Sequence, residues 1–251
     1  MNERLREALN KAGLTPLEIA AQLEVSPKTV ERWITQGRLP YPKHRSSIAG
    51  LLQETENYLW PDALSDERRA GVSESEVIRV YPHRSDVPGD LWRRLINDAT
   101  ERVDILVYAG LYLAEEYGLA KKLQKAAKKG LEARLLFGDP ESPPVTERAE
   151  EEGLGESFMG MRIRNTMTFF TGCAEAAGID MRVHNTTLYN SILRFDDEML
   201  VNMHVFGLVG SQAPVMHLRQ LSSGDLFETY LESFDEVWAR SRAFEPSIIG
   251  V

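Results

Sequence analysis

The stretch RVHNTTLYNSILRFDDEMLVNMHVFG (Arg182–Gly207) concentrates side chains able to do chemistry. Within it His184, Thr186, Asn190, Ser191 and Arg194 set polar groups along one strand-turn-strand pattern, and His204 and His217 fall on later strand-like runs. Histidine exchanges protons near neutral pH, and a carboxylate such as Asp196 or Asp197 would orient its ring. Upstream, GDPESPPVTERAEEEG (Gly138–Gly153) follows another strand-like run, where the ligand loops of α/β sheets sit, and offers Arg148 and Glu151. The expected pocket therefore comprises His184, Thr186, Asn190, Ser191, Arg194, His204 and Arg148. Plainer readings stand beside it. Asp196-Asp197 suits a hairpin turn, Gly138-Asp139-Pro140 suits the end of a strand, and His217 within VMHL suits a hydrogen-bonded core histidine. The spacing of the histidines matches no metal-ligand pattern, so neither a metal nor a cofactor is expected.

A second group of side chains is basic. Between Ser26 and Arg45 lie Lys28, Arg32, Arg38, Lys43 and Arg45 against one acid, Glu31, which is 5 − 1 = +4 in a chain of net charge −9. A local basic patch on an acidic protein suits confined contact with DNA phosphates and argues against non-specific wrapping. The single cysteine, Cys173, excludes an intramolecular disulfide and a multi-cysteine zinc site, and its apolar surroundings suit a small core residue. The charged, amphipathic start MNERLREALNK lacks a signal-peptide core. No apolar run approaches the roughly 20 residues that cross a bilayer. The expectation is a cytoplasmic protein without membrane contact.

The elements that must position these residues fall into two halves. In residues 1–59, a helix over Asn2–Ala12 stops at Gly13. Thr15, Pro16 and Glu18 form a capping box for a second helix with Ile19, Ala20 and Leu23 inward. The turn Glu24-Val25-Ser26 leads to a third helix opening with Ser26-Pro27, and small Ala20 lets the two helices cross closely. In the third helix Val30, Trp33 and Ile34 share the core face, leaving Lys28, Thr29, Glu31 and Arg32 outward or near its N-terminal end. Residues 60–76, rich in Pro, Ser and charge, read as a linker. From Val77 to about residue 245 strands alternate with helices, which predicts an α/β sandwich around a mixed sheet. A helix is expected from about Leu113 to Lys129, others over Val145–Glu152 and Phe158–Ala177, and a closing one from about Leu226 to Arg242.

The spacing in residues 1–58 resembles the helix-turn-helix domains of the Cro/repressor-like (XRE) family, with Glu24 standing where many such turns carry glycine. That resemblance implies an all-α DNA-binding domain whose third helix enters the major groove. Lys28 and Arg32 would contact guanine or phosphate, Ser26 would open the helix, Thr29 would touch phosphate or a thymine methyl, and Lys43 and Arg45 would clamp phosphates. One such head reads few base pairs, so specificity implies a homodimer on a double-stranded operator with two half-sites.

The segment from Val77 to Phe244 resembles a single phospholipase D-like domain, on Arg182–Gly207 together with APVMHLRQL and FETYLESFDEVW. Members of that family carry His-x-Lys-x4-Asp and join two half-sites in a dimer. Laid onto this chain the histidine is His184, but Thr186 stands at the lysine position and Ser191 at the aspartate position. Losing the cation removes the stabilisation of charge on phosphoryl oxygens, worth roughly 3 kcal/mol or more. The resemblance therefore implies a degenerate domain that dimerises and binds a small phosphorylated ligand, such as a nucleotide, rather than an enzyme. The whole chain then reads as a dimeric, ligand-responsive transcriptional regulator. The alternative is a DNA-tethered phosphodiesterase or nuclease with His184 as nucleophile, His204 as acid and Arg194 in place of the lysine. A third reading leaves the second domain as a dimerisation scaffold alone.

Overall fold

Three of the first four helices open on one device, an extended residue followed by proline, which fixes φ where the missing N–H costs nothing. They are seen in a computed structural model that describes residues 1–23, 25–61, 76–221 and 224–250. Helix α1 (Glu3–Ala12) is capped by the Asn2 side chain, which accepts from the Leu5 N–H at 3.0 Å, and stops at Gly13 with φ 64°. In α2 (Pro16–Gln22) the capping box is complete, with Glu18 N–H donating to Thr15 Oγ1 and Thr15 N–H donating to Glu18 Oε2. Helix α3 (Pro27–Thr35) follows Ser26, whose hydroxyl bonds the Thr29 hydroxyl at 2.8 Å instead of capping a backbone N–H. Helices α4 (Pro42–Leu52) and α5 (Glu56–Leu59) complete this all-helical unit.

Its core joins Leu5, Leu9, Ile19, Ala20, Val30, Trp33, Ile34, Ile48 and Leu59. Trp60 belongs to the same core at 4% exposure, so the expected linker cannot begin there. Most of that linker, residues 62–75, and Glu24 in the turn lie outside the described residues. The chain divides into two compact units, one of Met1–Ser75 with Leu221–Asp225 and the other of Glu76–Gln220 with Leu226–Val251.

The second unit is built on an eight-stranded mixed sheet in the order β1-β7-β6-β5-β2-β3-β4-β8. Strands β2 (Arg102–Val107), β3 (Glu132–Gly138) and β4 (Ile179–His184) are parallel. Antiparallel to β2 runs β5 (Asn190–Phe195), followed outward by β6 (Glu198–Met203), β7 (Val215–Arg219) and β1 (Val77–Tyr81). The helices are α6 (Gly89–Asp98), α7 (Leu111–Glu115), α8 (Leu119–Ala127), α9 (Pro143–Glu151), α10 (Glu156–Ala174) and α11 (Leu226–Ala239).

Two expectations need correction. The helix expected over 113–129 is broken into α7 and α8 because Gly118 turns left-handed, with φ 60°. The closing helix ends at Ala239, and Arg242–Ala243 instead pairs with β4 as a short edge strand, β8. Two residues are too few to show a period-2 pattern in sequence.

Buried polar groups lock the sheet. The Asp104 carboxylate on β2, with no solvent exposure, accepts from Arg102 Nε at 3.1 Å, Arg134 Nε at 2.6 Å and Arg194 at 3.4 Å. Arg134 continues to Asp235 of α11 at 2.6 Å and lies 4.5 Å over the Phe234 ring, so this face of the sheet is the one α11 covers. Asp196 does form the β5–β6 hairpin turn, at φ 52°. Its carboxylate accepts the N–H groups of Thr100, Glu101 and Arg102 rather than orienting a histidine. His217 is a buried core histidine, donating from Nε2 to Glu198 at 2.6 Å.

Removing the Asp104 charge leaves three guanidinium groups clustered without their shared acceptor. Asp104→Asn is expected to lower the urea unfolding free energy by about 2–3 kcal/mol, below the full cost of breaking a buried pair because the arginines reach solvent. A midpoint within error of the parent protein would refute the hub.

Candidate functional site: a cleft beside the β5–β6 hairpin

Strand alternation decides which polar residues of β5 meet. Side chains point to opposite faces at successive positions, so Ser191 cannot share a face with Asn190 or Arg194. Arg194, opposite Asp104 in the β2–β5 register, turns to the α11 face, joins the carboxylate hub and donates from Nε to the Asp196 carbonyl at 2.8 Å. That removes Arg194 from the expected pocket. Asn190 is removed by the same parity.

Ser191 lines a cleft with Asn202, its register partner on β6, and with His204, Arg84 and Arg162. His204 Nδ1 donates to the Leu188 carbonyl at 3.1 Å, leaving Nε2 to accept from the Ser191 hydroxyl at 3.0 Å. Asn202 is held by donating to the Pro214 carbonyl at 3.0 Å. Arg84, in a short 3-10 turn after β1, lies 3.9 Å over the Tyr112 ring, a contact that fixes the guanidinium. Neither Arg84 nor Arg162 of α10 ion-pairs with an acid among the described residues. These two guanidiniums without an acidic partner are the groups here suited to an oxyanion. The Ser191 hydroxyl and the Asn202 amide give their protons to His204 and to backbone carbonyls and form the wall. Glu152, paired with Arg148, lines the cleft as well. The cleft has a volume of about 80 Å³.

His184 is next to this cleft but does not open into it. At 2% exposure, its Nε2 donates to the Val107 carbonyl at 3.2 Å and its Nδ1 accepts from the Thr186 N–H at 3.3 Å. A nucleophilic imidazole needs a lone pair aimed at substrate, and both ring nitrogens here are spent on backbone. Thr186 contributes its N–H to that bond, not its side chain to the cleft. Tyr108 packs against both imidazoles, with centroids 5.8 Å from His184 and 5.6 Å from His204, and its hydroxyl accepts the Leu188 N–H. Arg148 is buried and fully spent on Glu151, Glu152 and the Leu208 carbonyl. Its role is to hold α9 to the cleft loop, since Glu152 lines the cleft.

Of the seven expected pocket residues, the fold brings Ser191 and His204 together in the cleft. Arg84, Arg162 and Asn202 were missed, because they arrive from a turn, a helix and a neighbouring strand that nothing local connects to Ser191. Among the described residues no three His, Cys, Asp or Glu side chains gather where a metal ion would be held. Cys173 is buried, its Sγ donating to the Ala120 carbonyl, and burial pushes its thiol pKa up.

In the helical unit, Lys28, Arg32 and Lys43 are exposed, Ser26 is exposed at the start of α3, and Thr29 is half-buried beside it. At 100° per residue Lys28 and Arg32 lie opposite the buried Val30, Trp33 and Ile34. Arg45 is different. At 8% exposure it donates to Glu56 at 3.1 Å and to the Pro40 carbonyl at 3.3 Å, so it ties α4 to α5 and is no phosphate clamp.

Burial depresses the pKa of His184 and of His204 to about 4, and Arg148 adds to the effect at His204. The unfolded chain then binds protons at these sites below about pH 6.5 while the folded chain does not until about pH 4. Their contribution to stability is complete above pH 6.5 and is lost as pH falls towards 4. Urea unfolding across that window is expected to show a shallower decline for His184→Gln/His204→Gln than for the parent, and parallel curves would refute it.

A family model described as a domain of unknown function (DUF5919) matches residues 74–245. No curated protein matches the sequence. Solved structures similar in backbone include Nuc from Salmonella typhimurium, a phospholipase D family member, at 16% identity over 62% of this chain and 90% of that one, with TM-score 0.37. TrmBL2, an archaeal chromatin protein whose structure shows a novel mode of DNA binding, is 12% identical over 92% of this chain and 88% of its own, with TM-score 0.43. NucT from Helicobacter pylori is 10% identical over 66% and 96%, with TM-score 0.40.

Proposed function

The chain belongs to the DUF5919 family, a domain of unknown function, and from that premise we propose that it is a sequence-specific, dimeric DNA-binding regulator whose second unit binds a small phosphorylated ligand. The observation that carries the reading is the exposed face of α3. Lys28 and Arg32 project from the helix directly opposite its buried Val30, Trp33 and Ile34, and α2 packs behind it through Ala20. This is the arrangement by which a helix-turn-helix pair lays its second helix in the major groove. Thr29 adjoins that face in sequence, and Lys43 is exposed in the first turn of α4.

The cleft of Arg84, Arg162, Ser191, Asn202 and His204 supports the ligand half of the reading, with the phosphate as the recognised group. The rival reading of a hydrolase using His184 lacks an available imidazole nitrogen. Exposed apolar side chains support dimerisation through the cleft side. Tyr189 and Phe206, each 81% exposed, lie beside His204 on the hairpin rim, and the exposed Phe158 and Met161 neighbour the cleft residues of α10. Large apolar side chains left exposed beside the cleft residues are the surface this reading assigns to the partner copy. No helix among the described residues is long and apolar enough to cross a membrane.

Selection of bound sequences from a random duplex library is expected to enrich two half-sites centred about 10 bp apart or a multiple of it. Lys28→Ala and Arg32→Ala should each cost about 1–3 kcal/mol in affinity for the selected duplex. No enrichment, or unchanged binding by both variants, would sink the DNA reading. For the second unit, thermal shift of the full chain with inorganic phosphate and nucleotides is expected to show stabilisation that Arg84→Gln/Arg162→Gln abolishes. Sedimentation should give a dimer that Tyr189→Ser/Phe206→Ser converts to monomer, and a monomeric parent would refute that part.

A further inference from the structure

Helix α8 and the turn after it read LAKKLQKAAKKG (Leu119–Gly130), with five lysines and no acid in a chain of net charge −9. At 100° per residue, Lys121, Lys122, Lys125, Lys128 and Lys129 fall within one arc of about 120°. The buried Leu119, Ala120 and Leu123 occupy the opposite side. Lys121, Lys125, Lys128 and Lys129 are exposed, Lys122 is half-buried, and none of the five ion-pairs a carboxylate among the described residues. Lys122, Lys125 and Lys129 border a groove whose other wall is Ile96, Asn97, Ala99 and Thr100, from the end of α6 and the turn after it.

Helix stability does not account for this face. Cations favour a helix C-terminus, which suits Lys128 and Lys129, but Lys121 and Lys122 stand in the first turns, where the helix dipole opposes them. Five like charges on one arc also repel one another. An elongated polyanion relieves both costs.

We propose that α8 is a second, sequence-independent contact for duplex DNA, made to the phosphate backbone by the second unit. From Lys121 to Lys129 the helix rises about 12 Å, a length of duplex axis carrying about seven phosphates. A bilayer fits less well, since an interfacial helix inserts its apolar face and that of α8 is spent in the protein core. The inference rests on the DNA-binding reading of α3 but concerns a different surface and a different contribution. α3 supplies sequence preference, and α8 supplies affinity that varies with salt.

The test uses the full chain and a mixed-sequence duplex of about three helical turns, with affinity followed as salt is raised. Changing all five lysines to glutamine is expected to weaken binding at least tenfold and to lower the slope of log affinity against log salt by about 0.9 for each phosphate no longer neutralised. Sequence preference in the library selection should survive this change, whereas Lys28→Ala/Arg32→Ala should abolish it. Four of the five lysines are exposed, and a thermal midpoint no lower than that of the parent confirms the variant is folded, since the change removes like-charge repulsion. Equal affinity and equal salt slope for parent and five-lysine variant would overturn the proposal. So would a variant that keeps its DNA binding but loses binding to phosphatidylserine vesicles, which would assign the patch to membrane. A parent that binds no duplex overturns both readings. Loss of preference in the α3 variant with no slope change in the α8 variant overturns this one alone.

Discussion

The Asp104 carboxylate, sealed from solvent and shared by three arginines, is the interaction on which the second unit is organised. A buried charge is tolerable only when its hydrogen bonds are met, so β2, β3 and β5 must each present an arginine to the same point. That requirement settles the register of β5 against β2. Once Arg194 faces Asp104, alternation sends Ser191 to the other side of the sheet, where it meets Asn202 and His204. The hub and the cleft are thus two consequences of one strand register. Shifting it by one residue would exchange them.

The residues that fall on the His-x-Lys-x4-Asp spacing in the sequence are turned to other uses in the fold. His184 holds the position of the nucleophile but uses its nitrogens to bind backbone, and Thr186 contributes only an N–H. Ser191, at the position of the missing aspartate, instead gives its hydroxyl to His204. Burial keeps both imidazoles neutral. Positive charge comes from Arg84 and Arg162 on other elements.

The arginines also separate structural from available charge. Arg45, Arg148 and Arg194 were natural candidates by residue type, yet each is satisfied by carboxylates or carbonyls and serves packing. Lys28, Arg32 and Arg84 keep donors free of acids. A cation is able to bind a ligand only when folding has not already given it a partner. Residue type cannot report that distinction.

What the sequence determined by itself is everything local. The capping box of Thr15 and Glu18, the stop at Gly13, the proline starts and the 3.6-residue spacing of Val30, Trp33 and Ile34 locate α1 to α3, because caps and helical faces depend on residues within one or two turns. The alternation of strands and helices likewise announced a mixed sheet, and Ser191 with His204 marked one wall of the cleft. The tertiary structure alone decided which of the remaining polar groups met. Arg84, Arg162 and Asn202 reach Ser191 through contacts distant in sequence, Arg194 is drawn away by Asp104, and β8 exists only because β4 offers it an edge. Such choices are fixed by register and burial, physical quantities that arise only once the strands lie side by side.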